Sequence, residues 1–139
     1  MGKLVLQEPT DTEICFIATG TGIAPLRSMI GHIFLANLPH RNIRLIFGVR
    51  TEADLIYRSE FETLEHQHPE FRFTPVLSRP GENWSGLTGY VHAAYRHLYT
   101  DHQPCTFYLC GWGEMVREAR SNLEQMGYSK EAIRFESYG

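Results

Sequence analysis

The sequence predicts an α/β domain of three layers, with a five-stranded parallel sheet in the order 3-2-1-4-5 and helices on both faces. Three observations carry this. Short apolar runs alternate with segments of helical periodicity, the pattern of successive βαβ units. Two of those runs end in glycine-rich loops that lead into helix-like segments. The third run contains Pro75, which cannot donate to a sheet ladder and so belongs on an edge strand, where this order puts it.

Composition bounds the rest. A chain of 139 residues with 42% hydrophobic and 12% aromatic residues is one domain's length and can bury a core. The formal charge of −3 gives no electrostatic reason to expect a nucleic-acid partner. No apolar run has the length of a membrane span and no signal-peptide core opens the chain, so a cytoplasmic location is expected. Cys15, Cys105 and Cys110 form no CxxC pair, which argues against a disulfide or zinc framework. Residues 1–12 carry little pattern and are expected to be a lead-in.

Along the chain, Ile14–Thr19 is a turn-bounded apolar run suited to a buried strand. In Pro25–Ala36, Leu26, Met29, Ile30, Ile33 and Phe34 make one helical face, with proline expected at the first helical position. Ile43–Val49 is the second strand. Ser59 and Glu62 have capping-box spacing, so a helix is expected from Ser59, with Glu60, Glu62 and Glu65 on its solvated face. Phe71–Leu77 is the third strand. Tyr90–Leu98 reads as a helix that turns Val91, Ala94, Tyr95 and Leu98 inward. Thr106–Cys110 is the fourth strand, Glu114–Met126 a helix ended by Gly127, and Ile133–Tyr138 the last strand. Cys15 and Cys105 read as core thiols. His66 and His68 have no acid or thiol partner in the pattern and are expected in a surface loop rather than a metal site.

In this order the sheet reverses direction between its first and fourth strands, and open α/β sheets bind ligands outside the carboxyl ends of strands at that point. The loops there are Gly20–Pro25 and Gly111–Glu114. A helix N-terminus offers unpaired N–H groups and partial positive charge, which suit phosphate. Gly20 and Gly22 allow close backbone approach, and Thr21 adds a hydroxyl. A tight strand-to-helix turn with no ligand would use the same residues, and the third glycine of an ordinary dinucleotide fingerprint is missing.

"ATGTGIAPLRSM", "FGVRTEADLIY", "YLCGWGEMV" and "RFESY" occur in the order and spacing of one known domain. From about Ile14 to Tyr138 the chain resembles the pyridine-nucleotide domain of the ferredoxin–NADP reductase family, which is Rossmann-like. The resemblance implies NAD(P)H as ligand, with Gly20, Thr21, Gly22 and Pro25 as the pyrophosphate and nicotinamide loop and Gly48 and Arg50 as the second-strand turn. It implies that Cys110 lies beside the nicotinamide C4, supported by Gly111 and Met115. Glu136 would lie near the nicotinamide, and Tyr138 would shield the flavin ring. Where relatives read Cys-Gly-Pro-Pro-x-Met, this chain has Trp112-Gly113-Glu114, so Trp112 either stacks on the nucleotide or packs on the loop. Ser78 and Arg79 match the pair that holds the 2′-phosphate of NADPH, and Pro80 and Trp84 resemble NADH-linked relatives; NADPH is slightly favoured.

Taken residue by residue, each position has an ordinary structural reading as well. A buried strand-end cysteine, a solvated acid and a core tyrosine account for Cys110, Glu136 and Tyr138 singly. No Arg-x-Tyr-Ser/Thr flavin motif precedes Gly20, so FAD is expected on a separate, missing domain. The function the resemblance implies is to position NAD(P)H for hydride transfer to that FAD, with electrons passing to a ferredoxin, flavodoxin, haem or oxygenase component. The isolated domain would then be inactive. The alternative is a nucleotide-binding or interaction module with no redox activity of its own. Enlarging Gly22 to valine is expected to block the pyrophosphate and leave the fold nearly intact.

Overall fold

The strands β1 (Glu13–Thr19), β2 (Ile43–Val49), β3 (Phe71–Leu77), β4 (Leu87–Thr88), β5 (Cys105–Trp112) and β6 (Ile133–Tyr138) form one sheet, in the order β4-β3-β2-β1-β5-β6. Every neighbouring pair is parallel. The computed structural model describes residues 4–6 and 11–138, so most of the expected lead-in lies outside the described residues. Helices α1 (Ile23–Leu35) and α2 (Arg58–Gln67) cover one face, and α3 (Val91–Leu98) and α4 (Gly113–Gln125) the other.

The central strand shows why the pattern is continuous rather than alternating. Ile14, Phe16 and Ala18 enter the apolar layer under α1 and α2, while Cys15 and Ile17 enter the layer under α3 and α4. A parallel strand covered on both faces must be apolar at every position. Burial also suppresses ionisation of the core thiols. Desolvation pushes the Cys15 thiol up to about 12, and raises that of Cys105 as well.

The sheet therefore has six strands among the described residues, one more than the expected five. The order of the other five is as read, and β4 is added outside β3. Its two residues, both exposed, are too few to show a periodicity. The expected edge strand is an edge only in part, because β4 pairs with Val76 and Leu77 and leaves Pro75 before the pairing begins.

Helix starts differ from expectation in instructive ways. A 3-10 turn, Gly20–Gly22, precedes α1, which begins at Ile23, so Pro25 is the third helical residue rather than the first. Proline is tolerated there because the first four N–H groups of a helix have no intrahelical acceptor. The second helix starts at Arg58, after Tyr57 at φ 62°, and Ser59 caps nothing. The capping box belongs to Thr51 and Asp54, at the preceding 3-10 turn: Thr51 donates its N–H and its hydroxyl to Asp54 Oδ2 at 3.1 and 2.8 Å. Glu60, Glu62 and Glu65 are engaged rather than merely solvated. Glu60 takes a bidentate bond from Arg27, Glu62 pairs with Arg58, and Glu65 accepts the Phe73 N–H. At the end of α4, Gly127 (φ 103°) donates to Glu124 O and Tyr128 to Leu123 O, the paired bonds of a Schellman closure.

On the other face, Tyr95 Oη receives the Asn122 Nδ2 donor at 2.8 Å and lies 2.7 Å from His92 Nδ1, tying α3 to α4. Burial lowers the His92 pKa; Glu118, 3.6 Å from Nε2, opposes this and Arg96 adds to it. The folded state thus binds protons at His92 less readily than the unfolded chain, whose histidines titrate near 6.5. The stability held by neutral His92 is present above that pH and is lost as pH falls below it. Urea unfolding at pH 7.5 and 5.5 is expected to show a larger acid loss for wild type than for His92→Gln. Equal losses would remove His92 as the cause.

Candidate functional site at the strand-order reversal

The 3-10 turn after β1 and the start of α4 after β5 meet where the strand order reverses. Their contact is backbone on backbone. A Cβ built on Gly22 would overlap the carbonyl of Cys110 and come within 2.8 Å of Gly111 N. Gly22 is glycine because the Cys110–Gly111 peptide occupies that space. This overturns the expectation that valine at 22 would leave the fold nearly intact: the obstacle is the neighbouring strand, before any ligand.

Gly20 is required for another reason, its φ of 54°. Gly111, buried between the loops, has no room for a Cβ beside Thr19 Oγ1 and Met115 Cε. Met115 is itself 9% exposed, so it supports Gly111 from within the core. Gly48 abuts the first turn of α3, its would-be Cβ 2.6 Å from Val91 Cγ1, a packing reason that needs no ligand. Pro25 is half-buried and Thr21 exposed at the mouth.

Two aromatic rings lie over this junction. Trp112, 66% exposed, continues β5 and brings its indole nitrogen to Gly20, 3.7 Å from where a Cβ would be. Its partner in register is Tyr138, and Glu136 is paired with Cys110. Cys110 Sγ donates to Tyr138 Oη at 3.5 Å. Burial raises the Cys110 pKa against the opposing Tyr138 bond, with Glu136 adding to the rise. The Tyr138 hydroxyl is pushed up to about 12, first by that bond to Cys110. Both groups are neutral at physiological pH. Cys110, fully buried and bonded to Tyr138, is a small neutral thiol rather than an activated nucleophile.

Arg50, Ser78 and Arg79 form a second group at the ends of β2 and β3. Ser78 N donates to Val49 O at 3.0 Å and Arg79 N to Arg50 O at 2.8 Å, which extends the ladder past both strands. The Thr51–Asp54 box fixes the turn directly after Arg50. Its Thr-x-x-Asp spacing stands in the sequence and could have signalled this turn. Thr19 is a further residue that sequence reasoning misses: its hydroxyl is buried beside Gly111 without a hydrogen-bond partner among the described residues. No periodicity announces such a residue.

No group of three or more His, Cys, Asp or Glu among the described residues could hold a metal. Nor is any helix among them long and apolar enough to cross a membrane.

A family model described as the oxidoreductase NAD-binding domain matches residues 16–121, from β1 into α4. The chain belongs to the oxidoreductase NAD-binding domain family. Among curated relatives, a component of the Na(+)-translocating NADH-quinone reductase of Klebsiella pneumoniae is 37% identical over 94% of the chain, and its Pseudomonas aeruginosa counterpart 32%. The chain spans about a third (33%) of the length of each. Among solved structures, the cytochrome P450 reductase GcoB of Amycolatopsis matches at TM-score 0.86 and 30% identity, over 99% of this chain and 41% of that one. A ferredoxin NADP+ reductase from Neisseria gonorrhoeae with bound FAD and NADP matches at 0.74 and 26%, over 93% and 57%. This NAD-binding domain thus shares its fold with domains of reductases such as these.

The interlock at Gly22 makes a direct prediction. Gly22→Ala is expected to lose about 1–3 kcal/mol, the usual cost of overpacking. Gly31→Ala, in the middle of α1 with open space around it, is expected to gain about 0.5–1 kcal/mol from helix propensity. Urea midpoints test both; an unchanged midpoint for the Gly22 variant would show that the contact contributes nothing.

Proposed function

We propose that this domain binds a nicotinamide dinucleotide across the ends of β1 and β5 and holds it for hydride transfer to FAD on a separate domain. The observation that carries the reading is the junction of Gly20–Gly22 with Cys110–Gly111, under the exposed rings of Trp112 and Tyr138. The residues suit such a ligand. The uncapped 3-10 turn and start of α1 offer free N–H groups, Thr21 a hydroxyl, and Cys110 a neutral wall that admits a planar ring.

In this reading the chain's own residues orient the ligand and exclude water and perform no proton transfer. The bound dinucleotide supplies a hydride, and FAD accepts it. Tyr138 rests on Cys110 and must leave it for a ring to reach the thiol. Cys110 sets how near that ring can come, and Glu136, in register beside it, offers a carboxylate to a polar substituent. Positioning of this kind is sensitive to displacements of about an ångström, at a cost of about a hundredfold. Cys110→Leu, in the two-domain protein, is expected to slow flavin reduction on that scale in stopped-flow measurement. A wild-type rate would refute the role.

Further electron transfer to a ferredoxin, flavodoxin, haem or oxygenase component is part of the same proposal. Support comes from relatives named as quinone, ferredoxin and cytochrome P450 reductases. For the choice of nucleotide, Arg79 and Arg50 side by side suit a 2′-phosphate, since charge-assisted bonds contribute about 1.5–3 kcal/mol each. We therefore propose that NADPH binds at least as tightly as NADH, although the Klebsiella relative is named for NADH. Calorimetric titration of both nucleotides against wild type and Arg79→Ala is the test. The variant is expected to lose about tenfold or more for NADPH alone, and a wild type that prefers NADH would end the Arg79 assignment.

A further inference from the structure

The phosphate-facing part of this junction contains no cation. Residues 13–26 of β1, its turn and the start of α1 hold no Lys or Arg, and neither do residues 105–116. An arginine directly follows each stretch: Arg27, whose guanidinium makes two 2.8 Å bonds to Glu60 and lies 4.3 Å from the centroid of the Tyr57 ring, and Arg117, exposed in the second turn of α4. The one charge at the start of α4, Glu114, is negative and exposed. Within these two stretches an anion therefore meets neutral donors.

The donors at hand are the N–H groups of the uncapped turn, the Thr21 hydroxyl and one group from the opposite loop, the Trp112 indole N–H. Indole nitrogen is a donor only and accepts nothing. Trp84, the other tryptophan, gives its N–H to Leu87 O at 2.9 Å, whereas Trp112 has no acceptor among the described residues. Trp112 Nε1 instead lies against Gly20, on a side chain that is two-thirds exposed. Core packing does not explain that placement.

We propose that Trp112 is a binding residue for the dinucleotide's pyrophosphate: its indole N–H donates to a phosphate oxygen seated on the Gly20–Gly22 turn. This rests on the dinucleotide reading above and deepens it. Because Trp112 reaches the turn from β5, the phosphate it meets is the one on the nicotinamide side, toward Cys110. Selectivity follows. Ligands that carry this second phosphate gain the bond, and adenosine monophosphate does not.

The test is calorimetric titration of the full chain, as wild type and Trp112→Phe, with NADH, ADP-ribose and AMP. Phenylalanine keeps an aromatic ring and removes the N–H. A bond to a charged group corresponds to about tenfold to a hundredfold in affinity. The variant is expected to lose that much for NADH and ADP-ribose, with AMP unchanged. Undiminished binding of ADP-ribose by the variant would overturn the proposal. An equal loss for AMP would also overturn it, since a damaged fold weakens all three ligands alike. If wild type binds none of the three while remaining folded, the dinucleotide reading itself fails, an outcome separate from the other two.

Discussion

The contact of Gly22 with the Cys110–Gly111 peptide is the constraint on which the site depends. It joins the turn after β1 to the end of β5 with no side chain between them, so neither can move without the other. The 3-10 turn, the late placement of Pro25 and the buried Gly111 follow from bringing two backbones that close. Side chains then stack outward from this base: Met115 and Thr19 beneath, Cys110 at the wall, Trp112 and Tyr138 above.

The side chains at the centre of the junction are uncharged, with carboxylates only at Glu114 and Glu136. Its thiol and phenol are neutral, residues 13–26 and 105–116 contain no Lys or Arg, and Arg50 and Arg79 stand at the ends of β2 and β3. Such a division suits a ligand with two chemical ends. One end needs a dry, uncharged wall where a planar ring can approach, and the other needs fixed positive charge. A site that performed acid–base chemistry would instead show a titrating group poised near neutrality at its centre. Cys110, with its raised pKa, is not one.

The outer surface of the first helical layer ties the loops to the same frame. Arg58 bonds Glu52 in the turn after β2 and Glu62 in its own helix, and sits 5.7 Å from the centroid of the Trp84 ring in the loop after β3. Exposed ion pairs of this kind contribute little to stability, typically about 0.2–1 kcal/mol each. Their effect is to register the loops that carry Arg50 and Arg79.

The architecture is legible in the sequence because its causes are local and periodic. Continuous apolar runs such as Ile43–Val49 report burial on both faces, and Gly127 after a helical stripe reports its end. The family motifs carry the region of the site. Three things are decided only by tertiary structure. The short strand β4 has no period of its own and exists because the end of β3 offers it a ladder. Ser59 and Glu62 have the spacing of a capping box, yet the true box lies at Thr51 and Asp54, because position in the fold and not spacing determines which N–H groups are orphaned. Gly22 reads in the sequence as a ligand contact, and only the structure adds that a peptide on β5, far along the chain, packs directly against it. A glycine in a sequence reports that space is needed, and only the packed structure says what fills it.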